Sequence, residues 1–118
     1  MKTEQLMTFL ISPEQTIVEA MQKIDANAKG ILFITNTDRK LIGAITDGDI
    51  RRAMEHWQAK FFDHTVSEIM TTTPKLVLPS TKITEVQRIM KEHRIHTVLV
   101  VDEEKHLLGI VDHYACMI

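Results

Sequence analysis

The chain has one cysteine, Cys116, so no internal disulfide can form and a reducing compartment is the expected setting. Cys116 itself reads as an apolar filler rather than a nucleophile. No apolar run approaches the roughly 20 residues that a membrane helix needs, and residues 1–10 lack the charged, apolar, small order of a signal peptide. A cytoplasmic location and no membrane partner are therefore expected. An excess of charge of either sign is also lacking: the net charge is −2, with a pI near 6.3. Nucleic acid and anionic lipid both reward a basic face, so neither is an expected partner. There is no Gly-x-x-x-x-Gly-Lys phosphate cradle, no Ser or Cys on a nucleophile elbow and no carboxylate pair in an apolar setting. Independent catalysis is not expected.

What is present is a duplication. Pro13, Ile17, Glu19, Leu41 and Gly43 recur as Pro79, Ile83, Glu85, Leu107 and Gly109, in each case 66 positions later. Substitutions between the copies keep chemical type: 31–34 reads Ile-Leu-Phe-Ile and 97–100 reads Thr-Val-Leu-Val. Half of the chain is under sixty residues and would bury too little surface alone, so the two copies are expected to share a core. They diverge where chemistry would be done, because Thr46-Asp47-Gly48-Asp49 is matched by Asp112-His113-Tyr114-Ala115.

Thr16 and Glu19 have capping-box spacing, and Ile17, Ala20, Met21, Ile24 and Ala28 mark one helical face. A helix over 16–28 is predicted, preceded by a strand at 8–11 and followed by strands at 31–35 and 41–46 that pair as a hairpin. Ile50, Ala53, Met54 and Trp57 mark a second helix, with Gly48 loosening the turn into it. Residues 55–64, carrying Trp57, Phe61 and Phe62, are predicted to be a packed connector. Thr65 and Glu68 open a short helix over 66–70. The second copy repeats the order, with a strand at 75–78, a helix at 81–93 that turns Ile83, Val86 and Met90 inward, and strands at 98–101 and 107–111. Its last helix is expected to be missing or short.

Residues 41–52, Leu-Ile-Gly-Ala-Ile-Thr-Asp-Gly-Asp-Ile-Arg-Arg, resemble the cystathionine-β-synthase-type (CBS) domain signature, Gly-apolar-apolar-Thr-x-x-Asp. Segments 66–71 and 95–102 are similar to the family too. The resemblance implies an α/β tandem pair of β-α-β-β-α repeats, 1–64 and 65–118, packed about a pseudo-twofold axis as one Bateman module, with ligand clefts near the strand-to-helix corners. It also implies a regulatory role, a homodimer and an adenosine-type nucleotide (AMP, ADP or ATP) as ligand. Residues 10–13 and 46–52 resemble the CBS pairs fused to sugar nucleotidyltransferases and sugar-phosphate isomerases, which implies a sugar nucleotide of the CMP-sugar type as an alternative effector. A structural dimerisation module without ligand is the rival from another class.

A strand that ends at residue 46 and hands over to a helix brings spare N–H groups and the positive helix end together, and such a corner accepts phosphate. Asp49 can take two ribose hydroxyls and the Thr46 hydroxyl can donate to a phosphate oxygen. Gly48 and Arg52 belong to the same corner. The plainer reading of 46–49 is an N-cap, with Asp47 as the capping carboxylate. In copy two, Asp112 and Ala115 replace the matching Thr and Asp, so that corner is expected to be empty or weak. By its resemblance to a segment of the AMP-activated protein kinase γ subunit, His96 is a further phosphate contact. Asp47 and Asp49 could hold Mg²⁺, and His93 with His96 could approach a metal only if the helix ran that far. The six histidines are read as surface residues and no metal is expected.

Overall fold

The structure, a computed structural model, describes residues 6–95 and 97–112, Asp112 by its backbone alone. The elements run β1 (Leu10–Ile11), α1 (Ile17–Asn27), β2 (Ile31–Thr35), β3 (Leu41–Thr46), α2 (Asp47–Trp57), a 3₁₀ segment (Gln58–Asp63), α3 (Val66–Ile69), β4 (Leu76–Val77), α4 (Ile83–His93), β5 (Thr97–Val101) and β6 (Leu107–Asp112). The fold class is thus mixed α/β with two three-stranded sheets, β1-β2-β3 and β4-β5-β6. The described residues form two compact units, one ending at Thr73 and the other beginning at Pro74.

Within the first unit, β1 pairs with β2 in parallel and β2 with β3 in antiparallel fashion, with Ile31 opposite Thr46 and a register shift between Ile34 and Thr35. The apolar run of β2 explains its placement at the sheet centre: Leu32, Phe33 and Ile34 are all buried. Ile17, Ala20 and Ile24 of α1, with Ile50 and Ala53 of α2, pack on that sheet together with Phe61 and Val66. The Thr16 hydroxyl accepts the Glu19 N–H at 3.1 Å, which closes the start of α1 as its sequence anticipates. At the other end Ala28 takes a left-handed conformation and donates to the Ile24 carbonyl.

The second unit repeats the first at the same spacing, residue for residue in its sheet. Leu76 pairs with Leu99 as Leu10 does with Phe33, Thr97 faces Asp112 as Ile31 faces Thr46, and the register shift recurs between Val100 and Val101. Its core is smaller, with Val77, Val86, Met90 and Val98 as the buried cluster.

Four expectations need correcting. Ile83 does not turn inward but is 51 % exposed. Met21 and Met54 sit on the apolar stripes of α1 and α2 yet stay partly exposed, at 36 % and 45 %, and Phe62 projects from the connector while Phe61 is buried. The first strand starts at Leu10, because Thr8 and Phe9 lie in a turn that closes on the Leu6 carbonyl. Gly48 loosens nothing: it lies inside α2, and among the described glycines only Gly30 has a positive φ, 72°.

Residues 65–71 form a strap across the first unit. The Val66 and Ser67 N–H groups donate to the Gln15 and Pro13 carbonyls at 2.9 and 3.0 Å, and Thr71 exchanges two backbone hydrogen bonds with Ala44 on the outer edge of β3. Thr65 opens α3 with Glu68 reaching back to its N–H at 3.1 Å. Gly43 shows what this approach requires, since a Cβ there would lie 2.7 Å from Met70 Sδ and 3.0 Å from the Thr71 carbonyl oxygen.

Candidate functional site

The corner where β3 becomes α2 is built by Thr46, which keeps extended backbone (φ −117°, ψ 168°) while the next residue turns into helix. Its hydroxyl accepts the Asp49 N–H at 3.2 Å. In return Asp49 Oδ2 accepts the Thr46 N–H at 2.9 Å and the Thr46 hydroxyl at 3.1 Å. That is a reciprocal capping box, and it uses Asp49, not Asp47, as the capping carboxylate. The other oxygen, Oδ1, takes Arg52 Nη2 at 2.7 Å. The Asp49 side chain is 13 % exposed and that of Arg52 is 71 % exposed, so the corner presents a sheltered carboxylate under an outward cation.

Gly48 gives this arrangement room by having no side chain. A Cβ at Gly48 would meet Arg52 Nη1 at 3.2 Å and Nη2 at 3.4 Å, so a side chain there would press the guanidinium a few tenths of an ångström off the first turn of α2. Thr46, Gly48, Asp49 and Arg52 are therefore brought together. Two of the N–H groups that a helix start leaves over are already taken: that of Asp49 by Thr46 Oγ1, and that of Asp47 by the Gly30 carbonyl at 3.1 Å.

Asp47 faces the other way. Its Oδ2 lies where a Cβ on Gly30 would be 2.9 Å distant, so glycine suits position 30 by its left-handed φ, and a side chain there would push the Asp47 carboxylate aside. Asp47 and Gly30 line a cleft of about 390 Å³ with Met21, Ile24, Asp25, Ala28 and Ile50. Two carboxylates and no cation border it, so an anion would meet repulsion there. Spacing alone did not reveal this cleft; the signal was a lone glycine at 30 facing an acid at 47.

His96 lies outside the described residues, as do His113, Tyr114, Ala115 and Cys116. Asp112 is placed by its backbone as the partner of Thr97. Among the described residues no group of three or more His, Cys, Asp or Glu side chains is arranged to hold a metal ion, and no helix is long and apolar enough to cross a membrane.

Comparison with known proteins adds the following. The profile of the CBS domain matches residues 5–56 and again 66–116. A probable arabinose 5-phosphate isomerase of Haemophilus influenzae is 30 % identical over 111 residues, covering 92 % of this chain and 33 % of the isomerase, so the chain spans about a third of that relative's length. The crystal structure of the CBS domain pair of MJ0100, in complex with 5′-methylthioadenosine and S-adenosyl-L-methionine, superposes with a TM-score of 0.79 at 28 % identity, over 92 % of this chain and 84 % of that one. CBSX2 in complex with AMP shares the fold, with a TM-score of 0.81 at 22 % identity over 92 % of this chain and 83 % of its own.

Proposed function

The chain belongs to the CBS domain family, and from that premise we propose that it is a regulatory module that binds an adenosine-type nucleotide at the Thr46–Asp49 corner and controls a fused or partner enzyme. One observation carries the reading: a sheltered Asp49 carboxylate and the Thr46 hydroxyl meet at the start of α2 with Arg52 folded over them. Asp49 Oδ1 is held only by an exposed guanidinium, and such pairs are worth about 0–1 kcal/mol. Ribose hydroxyls can replace Arg52 on the carboxylate at little cost, and the released cation then meets the phosphate. Relatives whose CBS pairs hold AMP or methylthioadenosine and S-adenosylmethionine support an adenosine ligand.

The ligand regulates by its difference in affinity for two states of the module. The Arg52-closed corner is one of them. A sugar-nucleotide effector is the second reading, favoured by the likeness to an arabinose 5-phosphate isomerase. A homodimer belongs to the same proposal, because α1 and α2 leave the apolar side chains of Val18, Met21 and Met54 exposed.

Thermal shift with AMP, ADP, ATP and cytidine nucleotides tests the reading. Ligand at about 100 times its dissociation constant adds about 2.7 kcal/mol of stability. Asp49→Ala also loses part of the capping box, so the quantity to compare is the gain on adding ligand, which is expected to vanish in Asp49→Ala and to shrink in Arg52→Ala. His96→Ala is the companion variant for the contact named from the sequence. If wild type and Asp49→Ala are equally indifferent to every nucleotide, the sensor reading falls and a structural dimerisation module takes its place.

A further inference from the structure

Trp57 ends α2 and His64 precedes α3, and their rings lie face to face, with centroids 3.6 Å apart and planes inclined by 12°. His64 Nδ1 is also in hydrogen-bond contact with Glu68 Oε2 on α3. The imidazole is thus held between an indole face and a carboxylate. The chain between the two rings is the 3₁₀ segment Gln58–Asp63, anchored by the buried Phe61. It leaves α2 through Gln58 at φ 50°, ψ −121°, a conformation that a side chain disfavours and that persists only where its surroundings hold it. The titratable groups facing this cluster are Glu68 from α3 and His56 from α2, whose ring meets that of Trp57 edge-on at 5.7 Å. Lys60 and Asp63 flank it along the chain.

We propose that Trp57, His64 and Glu68 form a proton-operated latch that ties the C-terminal end of α2 to the strap. A protonated His64 gains twice, from the indole face as a cation and from Glu68 as an ion-pair partner. A neutral ring keeps only the stack and one hydrogen bond. His64 is also the largest cause that holds the Glu68 carboxyl below its ordinary range, ahead of the Thr65 N–H. A carboxyl lowered in the folded state stabilises above its unfolded pKa and loses that effect as pH falls through the folded value. The latch is therefore tightest in mildly acidic solution, with Glu68 still ionised and His64 charged. It loosens toward alkaline pH. Because α2 begins at the Thr46–Asp49 corner and ends at Trp57, a proton at the latch sets how firmly that helix is held, whether or not a nucleotide binds.

Trp57 is the only tryptophan in the chain, so its emission reports the latch directly. On titrating the full chain from about pH 8 to about pH 5, the range in which histidine is the side chain that titrates, the stacked imidazolium is expected to quench Trp57 in one sigmoidal step. His64→Phe keeps a stacked ring and loses the step. Glu68→Gln, which removes the ion-pair partner, moves the midpoint to lower pH, and His56→Phe leaves the step in place. Amide exchange of residues 57–64, corrected for its intrinsic pH dependence, slows on acidification in wild type and not in His64→Phe. A flat wild-type profile, a step that survives in His64→Phe, or one that His56→Phe removes would overturn the latch.

Discussion

Ile17 and Ile83 open the same helix 66 residues apart, yet Ile17 is wholly buried and Ile83 is 51 % exposed. Nothing in the helices themselves accounts for this, since both run eleven residues and both end in a left-handed cap, at Ala28 and Arg94. The difference comes from the strap. Val66 joins Ile17 in one buried cluster, and residues 65–67 bridge to Thr16, Gln15 and Pro13 just before α1. No described residue takes that place before α4. The two glycines at matching positions of β3 and β6 repeat the lesson: Gly43 is crowded by Met70 and Thr71, while a Cβ on Gly109 meets no described atom within 4 Å. A repeat copies its own elements faithfully, but its cover is supplied by chain outside the repeat.

The sharpest way to break this comparison is to truncate both isoleucines. Ile17→Ala removes a packed side chain and is expected to cost about 3 kcal/mol. Ile83→Ala shortens a half-exposed one and is expected to stay within about 0.5 kcal/mol. Urea midpoints of the two variants measure the difference, and equal losses would mean that Ile83 is covered in solution after all.

The glycines give the next largest contrast. Gly43→Ala drives a methyl toward the Thr71 carbonyl, which is backbone and cannot swing aside as the Met70 side chain can, so a loss of about 1–3 kcal/mol is expected. Gly109→Ala meets open space in a strand interior and is expected to stabilise by up to about 0.5–1 kcal/mol. Opposite signs in thermal unfolding support the strap as the cause. Matching signs would refute it.

These contrasts also mark how far the sequence could be read. The strands, helices and hairpins were legible because apolar periodicity and turn residues are local signals that both copies carry. The cap that Thr16 gives the Glu19 N–H was legible for the same reason. At the second corner the expectation gave the cap to Asp47 and left Asp49 free for a ligand. A box spans the N-cap and the third helical residue, and counting from Thr46 leads to Asp49. What lay beyond reading was tertiary: that residues 65–71 lie on α1 and β3, that Gly48 makes room for a guanidinium, and that Trp57 meets His64. The first and the last have no period or fixed offset, and the second, an i, i+4 pair within α2, shows only once the guanidinium is seen to turn back toward Asp49.

The smallest contrast lies in the hairpin turns. Asn36 Oδ1 accepts the N–H groups of Asp38 and Lys40, and Asp102 Oδ1 accepts those of Glu104 and His106 in the same pattern. Left-handed residues follow at matching places, Arg39 and Lys105. The turns therefore differ in charge rather than shape. The His106 N–H, with the His106 ring and the Glu104 N–H after it, holds the Asp102 carboxyl below its ordinary range. By the linkage sign, Asp102 adds stability above its unfolded pKa and loses it as pH falls through the lower folded value. Asp102→Asn keeps an oxygen for both N–H groups and removes the titrating proton. Its urea midpoint relative to wild type is thus expected to be lower at neutral pH and to converge on it in acid. Asn36→Asp should import the same acid sensitivity into the first turn. If neither difference changes with pH, the carboxylate in the second hairpin adds nothing that an amide does not.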